Sequence, residues 1–287
     1  MEMGRDRDVF LLGDPESWHI QELHRAFLQG GYAVRVLDAC VRKDSEAVQH
    51  LSAVPHLLWV RRLSSGNVEQ TIFRMDLLYH WTLRGTTVIN SPRALERTVD
   101  KYFTQILLEK SGIPVPQTLV TEDRDVAMDT VKTWGQAVLK PLFGSQGRGM
   151  MRLDNPDIAW WTFNNLNKIG TVFYLQRFIP YQADVRILVA FGQVISAMQR
   201  DSLNWRANVA LGGQPRPYTV PPEVARMAIS AAESLDCVYA GVDCIWGEDG
   251  EWYVLEVNGI AGWQGLQTVT SFNIAKRLVE MVDNALD

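Results

Sequence analysis

The segment AGVDCIWGEDGEWYVLEVN, residues 240–258, carries an aspartate and a glutamate within two apolar runs that flank a polar turn. This pattern predicts a β-hairpin with its turn centred on Glu248 and Asp249. The apolar neighbours predict that Asp243 and Glu256 are buried, and a buried carboxylate is costly unless something pairs with it. The hairpin therefore predicts a site at which two carboxylates meet positive charge.

A third polar side chain joins the two carboxylates. The turn at 248–249 places Asp243 roughly opposite Val254 on the second strand. Glu256 and Asn258 project from the same face of that strand, because side chains alternate with a period of two. Mg²⁺ prefers oxygen ligands of this kind and is commonly held by one or two carboxylates plus substrate phosphates. The alternative is a solvated hairpin face with incidental acids, which the apolar flanking residues disfavour.

The 287-residue chain is 47% hydrophobic and 21% charged, which is typical of globular proteins rather than of disordered ones. A net charge of −5 disfavours a nucleic-acid partner or an anionic membrane surface. The first residues show no signal peptide, and no run is apolar for long enough to span a membrane. Three cysteines without a CxxC pair indicate reduced thiols rather than disulfides or a zinc site. We therefore expect a cytoplasmic protein.

Strand-like runs at 8–13, 32–38 and 55–60 alternate with helical patterns in the first part of the chain. Such alternation predicts an N-terminal α/β domain over residues 1–90, with a largely parallel sheet.

Ser91 and Pro92 begin a helix that the apolar spacing extends to Gly112. The following part is predicted to be α+β, because several of its strands succeed one another without a helix between them. We place a smaller lobe with a glycine-rich loop at 91–180 and a C-terminal lobe at 181–287.

The stretch KPLFGSQGRGM, residues 140–150, is dense in glycine and directly follows a predicted strand. Glycines let backbone N–H groups approach phosphate oxygens closely, and Lys140 or Arg148 supplies positive charge. The spacing is neither that of a Walker loop nor that of the Rossmann motif, so a flexible hairpin turn is an equal alternative. The candidate phosphate-binding residues are Gly144, Ser145, Gln146, Gly147 and Gly149.

Arginines cluster between the predicted core strands of the second half. Asp184 and Arg186 share one face of a strand, and Arg200 ends the next strand. The irregular loop after it contains Arg206 and Asn208. A single arginine is commonly a surface charge, but a guanidinium cluster suits the binding of phosphate or carboxylate oxygens. The five histidines all lie in the first part of the chain, away from these motifs, and are expected to pack rather than to catalyse.

The order of these motifs resembles that of the ATP-grasp enzymes, and more narrowly of the RimK-like amino-acid ligases, which include α-L-glutamate ligases. The resemblance covers about residues 90 to 285, and the order is specific although each motif alone is not. It implies an N-terminal α/β pre-ATP-grasp domain followed by a two-lobed ATP-grasp fold. The matching motifs are Lys101, Lys140-Pro141, the glycine-rich loop, YLQRFI, DVR, AGVD and LEVN.

The resemblance implies a role for each matching residue. The implied ATP contacts are Lys101, Lys140, Gly144, Ser145, Gln146, Gly147, Gly149, Gln176, Arg177, Phe178, Asp184, Arg206 and Asn208. The implied catalytic residues are Arg186, Arg200 and Arg206. Asp243, Glu256 and Asn258 would hold two Mg²⁺ ions, for which Mn²⁺ is a substitute.

The chain also departs from the family pattern. Arg177 stands where the segment that contacts adenine often has an acidic residue. After the metal motif, a loop without the usual proline brings Gly259, Trp263 and Gln264 into the set of candidate substrate residues, together with Trp205. Either tryptophan could stack on a flat acceptor ring or simply pack at the rim.

The resemblance implies an ATP- and Mg²⁺-dependent ligase that joins an amino acid, with L-glutamate favoured, to a carboxylate acceptor through an acyl phosphate. A tetrahydromethanopterin-type pterin is the favoured acceptor, and a protein C-terminus is an alternative. A small-molecule kinase on the same ATP site and a non-catalytic nucleotide-binding protein are the other hypotheses. The acceptor, the linkage, the number of residues added and the oligomeric state, a homo-oligomer included, stay open.

Overall fold

The computed structural model describes residues 7–38, 52–64, 66–144, 149–201 and 214–286. The N-terminal strands β1 (Asp8–Gly13), β2 (Ala33–Asp38), β3 (Leu57–Val60) and β4 (Thr87–Ile89) form a parallel sheet in the order β2-β1-β3-β4. The helices α1 (Trp18–Gln29) and α2 (Val68–Leu83) connect these strands. The alternation of strand and helix in the sequence therefore predicted this sheet correctly.

A second sheet is antiparallel. It consists of β5 (Thr118–Thr121), β6 (Ala137–Lys140), β7 (Met151–Leu153) and β8 (Phe173–Arg177) in the order β5-β8-β6-β7. The helices α5 (Arg124–Trp134) and α6 (Pro156–Asn167) pack against it through buried apolar residues such as Val131, Phe163 and Phe173. Lys140 is the last residue of β6, one of the two central strands of this sheet.

The third sheet is the largest. Its strands are β9 (Tyr181–Ala190), β10 (Gln193–Asp201), β11 (Gln214–Pro217), β12 (Tyr239–Gly247) and β13 (Trp252–Asn258), in the order β11-β10-β9-β12-β13. Helix α7 (Pro222–Ser234) covers one face, where Val185 and Ile187 contribute to its core. The short α8 (Gln264–Gln267) and the C-terminal α9 (Ile274–Leu286) complete this part of the chain.

The first and third sheets share one hydrophobic core. The same buried cluster contains Leu11 and Trp59 of the N-terminal sheet together with Leu188, Tyr239 and Leu278 of the C-terminal part. The three sheets lie within residues 8–89, 118–177 and 181–258, whereas the domain boundaries at 90 and 180 stay a prediction.

The predicted long helix after Ser91 is wrong in one respect, because it is two helices. They are α3 (Pro92–Val99) and α4 (Lys101–Lys110), separated by Asp100 in an extended conformation. The Asp100 carboxylate accepts hydrogen bonds from the backbone N–H groups of Tyr102 and Phe103, both at 3.0 Å. An aspartate that satisfies free N–H groups in this way starts a new helix and breaks the preceding one.

The hairpin register also differs from the prediction. A β-bulge between Asp243 and Cys244 pairs Asp243 with Glu256 and Cys244 with Val254. The predicted pairing of Asp243 with Val254 is therefore wrong, because a bulge adds one residue to one strand and shifts the register beyond it. As a consequence the two carboxylates lie directly across from each other.

Two further sequence expectations concern the thiols and the membrane. Cys237 and Cys244 are buried free thiols, while Cys40 lies outside the described residues. Within the described ranges, no helix has the length and apolar character needed to cross a membrane.

Asn90 connects the N-terminal sheet to the hairpin. It is 1% exposed, and its Nδ2 donates to the carbonyl oxygens of Tyr239 and Gly259, both at 2.6 Å. Its Oδ1 accepts from the Tyr239 N–H at 3.0 Å. We expect Asn90→Ala to lower the free energy of unfolding by about 2–4 kcal/mol, because it leaves buried backbone groups of Tyr239 and Gly259 without a hydrogen-bond partner.

Urea denaturation would measure this loss, with the exposed Asn165→Ala as a control that should change stability little. Equal stability of the two variants would show that Asn90 does not join the two parts.

Candidate active site

Three neighbouring strands bring the predicted site residues together. Arg186 on β9 is paired with Asp243 on β12, which in turn is paired with Glu256 on β13. Asn258 lies two residues beyond Glu256 on the same strand and face. One row of side chains thus crosses three neighbouring strands of the sheet.

Asp243 is the centre of a buried ion-pair network. Arg186 donates to its two oxygens from Nε at 2.8 Å and from Nη2 at 2.6 Å, and Arg200 Nη1 lies 3.2 Å from Oδ1. Arg200 Nε also donates to Asp184 at 2.7 Å. Burial raises the pKa of Asp243, but the two guanidinium groups outweigh it and the net shift is downward. Asp243 is therefore held as a carboxylate.

The pKa of Glu256 is shifted in the opposite direction from that of Asp243, upward. Burial and the neighbouring charge of Asp243 raise its pKa, while Lys101, Lys140 and Arg186 act in the other direction. A carboxylate destabilised in this way gains from a further cation beside it.

The Asn258 amide lies between these charges. With its oxygen toward Arg186 Nη2 at 3.1 Å and its nitrogen toward Glu256 Oε1 at 3.3 Å, both ends of the amide are satisfied. Asp243, Glu256 and Asn258 are ligand types that suit Mg²⁺ bound jointly with substrate phosphates, and the oxygens of Asp243 and Asn258 here accept hydrogen bonds from arginines. In the described part of the chain, no group of three or more His, Cys, Asp or Glu residues could hold a metal by itself.

Lys140 faces the same site from the small antiparallel sheet. It is 8% exposed, and its Nζ donates to Oε1 of the buried Gln176 on the adjacent strand β8. Burial lowers the pKa of Lys140 to about 8, and Lys101 adds to this effect while Glu256 and Asp243 oppose it. Lys101 Nζ donates to the Gly144 carbonyl at 2.7 Å. Two lysines and the start of the glycine-rich segment therefore lie beside the carboxylates.

The lowered pKa of Lys140 predicts a pH-dependent affinity for MgATP. Phosphate oxygens favour the protonated lysine, which predominates below pH 8 in the free protein and is lost above it. We expect the affinity for MgATP to fall by up to about tenfold per pH unit above 8. Calorimetric titrations between pH 7 and 9.5 would measure it, with Lys132→Met, a change at an exposed lysine, as the control that should keep the slope. A flat profile in the wild-type protein would contradict this role of Lys140.

Residues 176–178, the candidate adenine-binding segment, already form hydrogen bonds within the second sheet. Gln176 is tied to Lys140 through its side chain, and the backbone N–H groups of Arg177 and Phe178 donate to Gln117 and Gln136. The backbone N–H groups of Arg177 and Phe178 are therefore not free to hydrogen-bond adenine. The side chain of Asp184, one of the implied ATP contacts, belongs to a residue that is 6% exposed and is paired with Arg200.

Several predicted residues lie outside the described residues. They are Ser145, Gln146, Gly147 and Arg148 of the glycine-rich loop, and Trp205, Arg206 and Asn208 of the loop after Arg200. The flanking Gly144 and Gly149 have φ values of 138° and 76°, a backbone conformation that favours glycine.

The loop after the hairpin is packed more tightly than the sequence indicated. Trp263 is fully buried at 0% exposure in the core shared by the first and third sheets, so its ring is not at a substrate rim. Gly259 approaches Thr98 so closely that an added Cβ would lie 2.7 Å from Thr98 Oγ1. Gln264 begins α8 and is exposed.

Two N-terminal residues that sequence reasoning did not select contact this loop. Arg61 Nη2 donates to the Ala261 carbonyl at 2.7 Å, and His19 Nε2 accepts from the Trp263 N–H at 3.0 Å. Burial and the nearby Arg61 lower the pKa of His19 to about 3, so His19 is a neutral acceptor. Arg61 directly follows strand β3, and the carboxyl end of a parallel strand is a position where ligands commonly bind. That placement is the sequence signal that could have identified it.

Comparison with known proteins places this geometry in a family. The model of the RimK-like ATP-grasp domain matches residues 98–282. The chain is 34% identical over 220 residues to the Tetrahydromethanopterin:alpha-L-glutamate ligase of Methanocaldococcus jannaschii, covering 74% of this chain and 75% of that protein. It is 30% identical over 203 residues to the Alpha-aminoadipate--LysW ligase LysX of Saccharolobus solfataricus, covering 68% of this chain and 74% of that protein.

A solved structure agrees with the fold. The ATP-grasp ligase PsnB, complexed with a minimal precursor, Mg and ADP, is similar over 100% of both chains with a TM-score of 0.79 and 23% identity. The family match includes the glycine-rich segment, the arginine-bearing strands and the whole hairpin with its carboxylates. The chain therefore belongs to the RimK-like ATP-grasp family.

Proposed function

We propose that the protein is an ATP- and Mg²⁺-dependent ligase that joins the amine of an amino acid to a carboxylate acceptor. The observation that carries the proposal is the cross-strand pair of Asp243 and Glu256 next to Asn258, with Lys101 and Lys140 close enough to influence the pKa of Glu256. Oxygen ligands beside two lysines suit a metal-bound triphosphate. The names of both relatives, each a ligase of an amino acid, support the same chemistry.

The reaction proceeds in two steps. An oxygen of the acceptor carboxylate attacks the γ-phosphorus of ATP, the bond from that phosphorus to the bridging oxygen breaks, and ADP leaves, which gives an acyl phosphate. The amine nitrogen then attacks the acyl carbon, phosphate leaves with the electrons of the broken C–O bond, and the nitrogen loses a proton to give the amide. Both steps bring anionic groups together, so the protein acts chiefly by positioning and by neutralising charge.

The lysines and arginines of the site are proposed to neutralise these charges. Lys101 and Lys140 bind phosphate oxygens, and Arg186 faces the acceptor carboxylate and the transferred phosphoryl group, with Arg200 behind it. Arg206 and Asn208, outside the described residues, are proposed to approach the phosphates as well. Asp243, Glu256 and Asn258 would hold Mg²⁺, two ions in this proposal, with Mn²⁺ as a substitute. When bound, the metal supplies positive charge that withdraws electron density from the phosphoryl oxygens.

L-glutamate is the proposed amino acid, and a tetrahydromethanopterin-type pterin is the proposed acceptor. The name of the Methanocaldococcus jannaschii relative supports both, whereas the Saccharolobus solfataricus relative is named for a different amino acid and for a different partner. Both relatives are named for an amino acid, whereas the acceptors in their names differ in kind, so the names support the acceptor less than the amino acid. The buried free thiols of Cys237 and Cys244 and the need for ATP favour a cytoplasmic location.

A coupled assay of ADP release tests the proposal. The purified protein is incubated with MgATP and tetrahydromethanopterin, with and without each of the twenty amino acids. We expect ADP release to depend on one amino acid and on the acceptor together. Release that depends on the acceptor alone, with a phosphorylated product, would contradict the ligase and identify a kinase.

A further inference from the structure

Arg61 is held between two aromatic rings at the junction of the first and third sheets. Its guanidinium carbon lies 4.7 Å from the centroid of the Trp263 ring and 5.6 Å from that of the Tyr239 ring. Nη2 donates to the Ala261 carbonyl at 2.7 Å, and the Tyr239 hydroxyl donates to the same oxygen at 2.6 Å. The position of the guanidinium is thus fixed by three residues.

This guanidinium has unused hydrogen-bonding capacity. Its Nε and Nη1 are buried and have no hydrogen-bond partner among the described residues, and no carboxylate in those ranges forms an ion pair with it. Burial lowers the pKa of Arg61, and Tyr239 alone opposes the shift. A buried cation with unsatisfied N–H groups is costly, so such a group calls for an explanation. An anion is the kind of partner that would satisfy both the charge and the unpaired donors.

The position of Arg61 connects it to the proposed active site. Tyr239, Gly241 and Asp243 alternate onto one face of strand β12. A methyl group on Gly241 would lie 2.9 Å from the Ala261 Cβ and 3.7 Å from Arg186 Nε, so Gly241 lies between Ala261, which accepts from Arg61, and Arg186. The same face of β12 thus leads from Asp243 through Gly241 to Tyr239, whose ring contacts Arg61.

The surrounding edge of the N-terminal sheet also suits a ligand. Arg61 and Arg62 follow the carboxyl end of β3, and both backbone N–H groups donate to Leu12 on the neighbouring strand β1. In open α/β sheets, ligands bind in the crevice outside the carboxyl ends of the strands. Arg61 as a residue is partly exposed at this edge, whereas its unpaired Nε and Nη1 are buried, so a ligand that binds them displaces neighbouring packing.

We propose that Arg61 binds a second carboxylate of a substrate, one that does not react, and so orients that substrate toward the metal ligands. The proposal rests on the proposed ligase function. A carboxylate is the chemistry that the free N–H donors of a guanidinium recognise, and both the incoming amino acid and the acceptor can carry one. Arg61 would then set the specificity for substrates with a carboxylate remote from the reacting centre.

Steady-state kinetics of the full chain test the proposal. Arg61→Met removes the donors and keeps a side chain that packs between the rings, and Arg61→Lys keeps the charge without the planar fork. The matched control is Arg62→Met, since Arg62 is half-exposed and pairs with Asp14 at the surface. We expect Arg61→Met to raise the KM of either L-glutamate or tetrahydromethanopterin about 10- to 100-fold, because hydrogen bonds to charged groups contribute that much. The KM of ATP and kcat should stay within threefold, and Arg61→Lys should fall between.

The substrate whose KM rises identifies the source of the carboxylate. A fall in kcat with unchanged KM values, or equal changes in all three KM values, would overturn the proposal in favour of a purely packing role. If the wild-type protein shows no turnover, the proposed function fails, and calorimetric binding of L-glutamate and tetrahydromethanopterin in the presence of MgADP still decides the role of Arg61. Weaker binding of one probe by Arg61→Met alone supports it, and equal behaviour of wild type and variant, including no binding by either, overturns it.

Discussion

Glu256→Gln is expected to lower the rate of ATP turnover by about 1000-fold or more at saturating Mg²⁺ while the fold stays intact. Glutamine has the size of glutamate but lacks the charge that a divalent cation needs. Glu256 pairs directly with Asp243 across the hairpin, and burial raises its pKa, so the charge is costly in the empty protein. Removing it should leave the melting temperature unchanged or raise it. ADP release and thermal melting followed by circular dichroism would measure the two effects.

The control for this variant lies on the same hairpin. Glu251 is exposed beside the turn, so Glu251→Gln tests whether any loss of negative charge on the hairpin slows the reaction. We expect it to keep the wild-type rate. A wild-type rate in Glu256→Gln would show that the metal assignment is wrong, and a lower melting temperature would show that Glu256 is structural.

Lys140→Met should abolish detectable MgATP binding and lower kcat/KM by about 100-fold or more, also without loss of stability. Lys140 is 8% exposed and its pKa is lowered to about 8 by burial, which means that the folded protein holds this charge at a cost. The variant loses that cost together with the hydrogen bond to Gln176, and the two effects offset each other. Calorimetry with MgATP and a urea titration would measure binding and stability.

Lys132→Met is the matched control, since Lys132 lies exposed on α5 of the same lobe and pairs only with Asp129 at 3.0 Å in the described residues. It should bind MgATP like the wild type. Normal nucleotide affinity in Lys140→Met would remove Lys140 from the phosphate site.

The sequence predicted the fold better than it predicted the geometry of the hairpin. The alternation of strand and helix indicated the parallel N-terminal sheet, and the apolar runs around Asp243 and Glu256 indicated a buried pair. The bulge at Asp243 was not predictable from the period-two pattern. A bulge changes which residues of the two strands pair, and the apolar pattern of each strand taken alone does not show that pairing. The split at Asp100 was missed although an aspartate before a helical run is a known capping signal.

The contacts around Arg61 show why other parts of the site could not be read from the chain. Arg61 and Ala261 are 200 positions apart and meet only because the first and third sheets share one core. The place of Trp263 in a loop predicted substrate stacking or packing at a rim, yet the shared core buries its side chain completely. The order of the motifs identified the candidate residues on the third sheet. Which side chains from other parts of the chain contact that sheet depends on long-range packing.

Glutamyl transfer by the purified protein separates a ligase from a kinase. The purified protein is incubated with MgATP, isotopically labelled L-glutamate and a cell extract, and small molecules and peptides that gain one or more labelled glutamyl residues are sought by mass spectrometry. The account predicts an adduct that requires both ATP and the protein, that names the acceptor, and that is absent with Glu256→Gln. ADP formation with a phosphorylated product and no glutamyl adduct would contradict it.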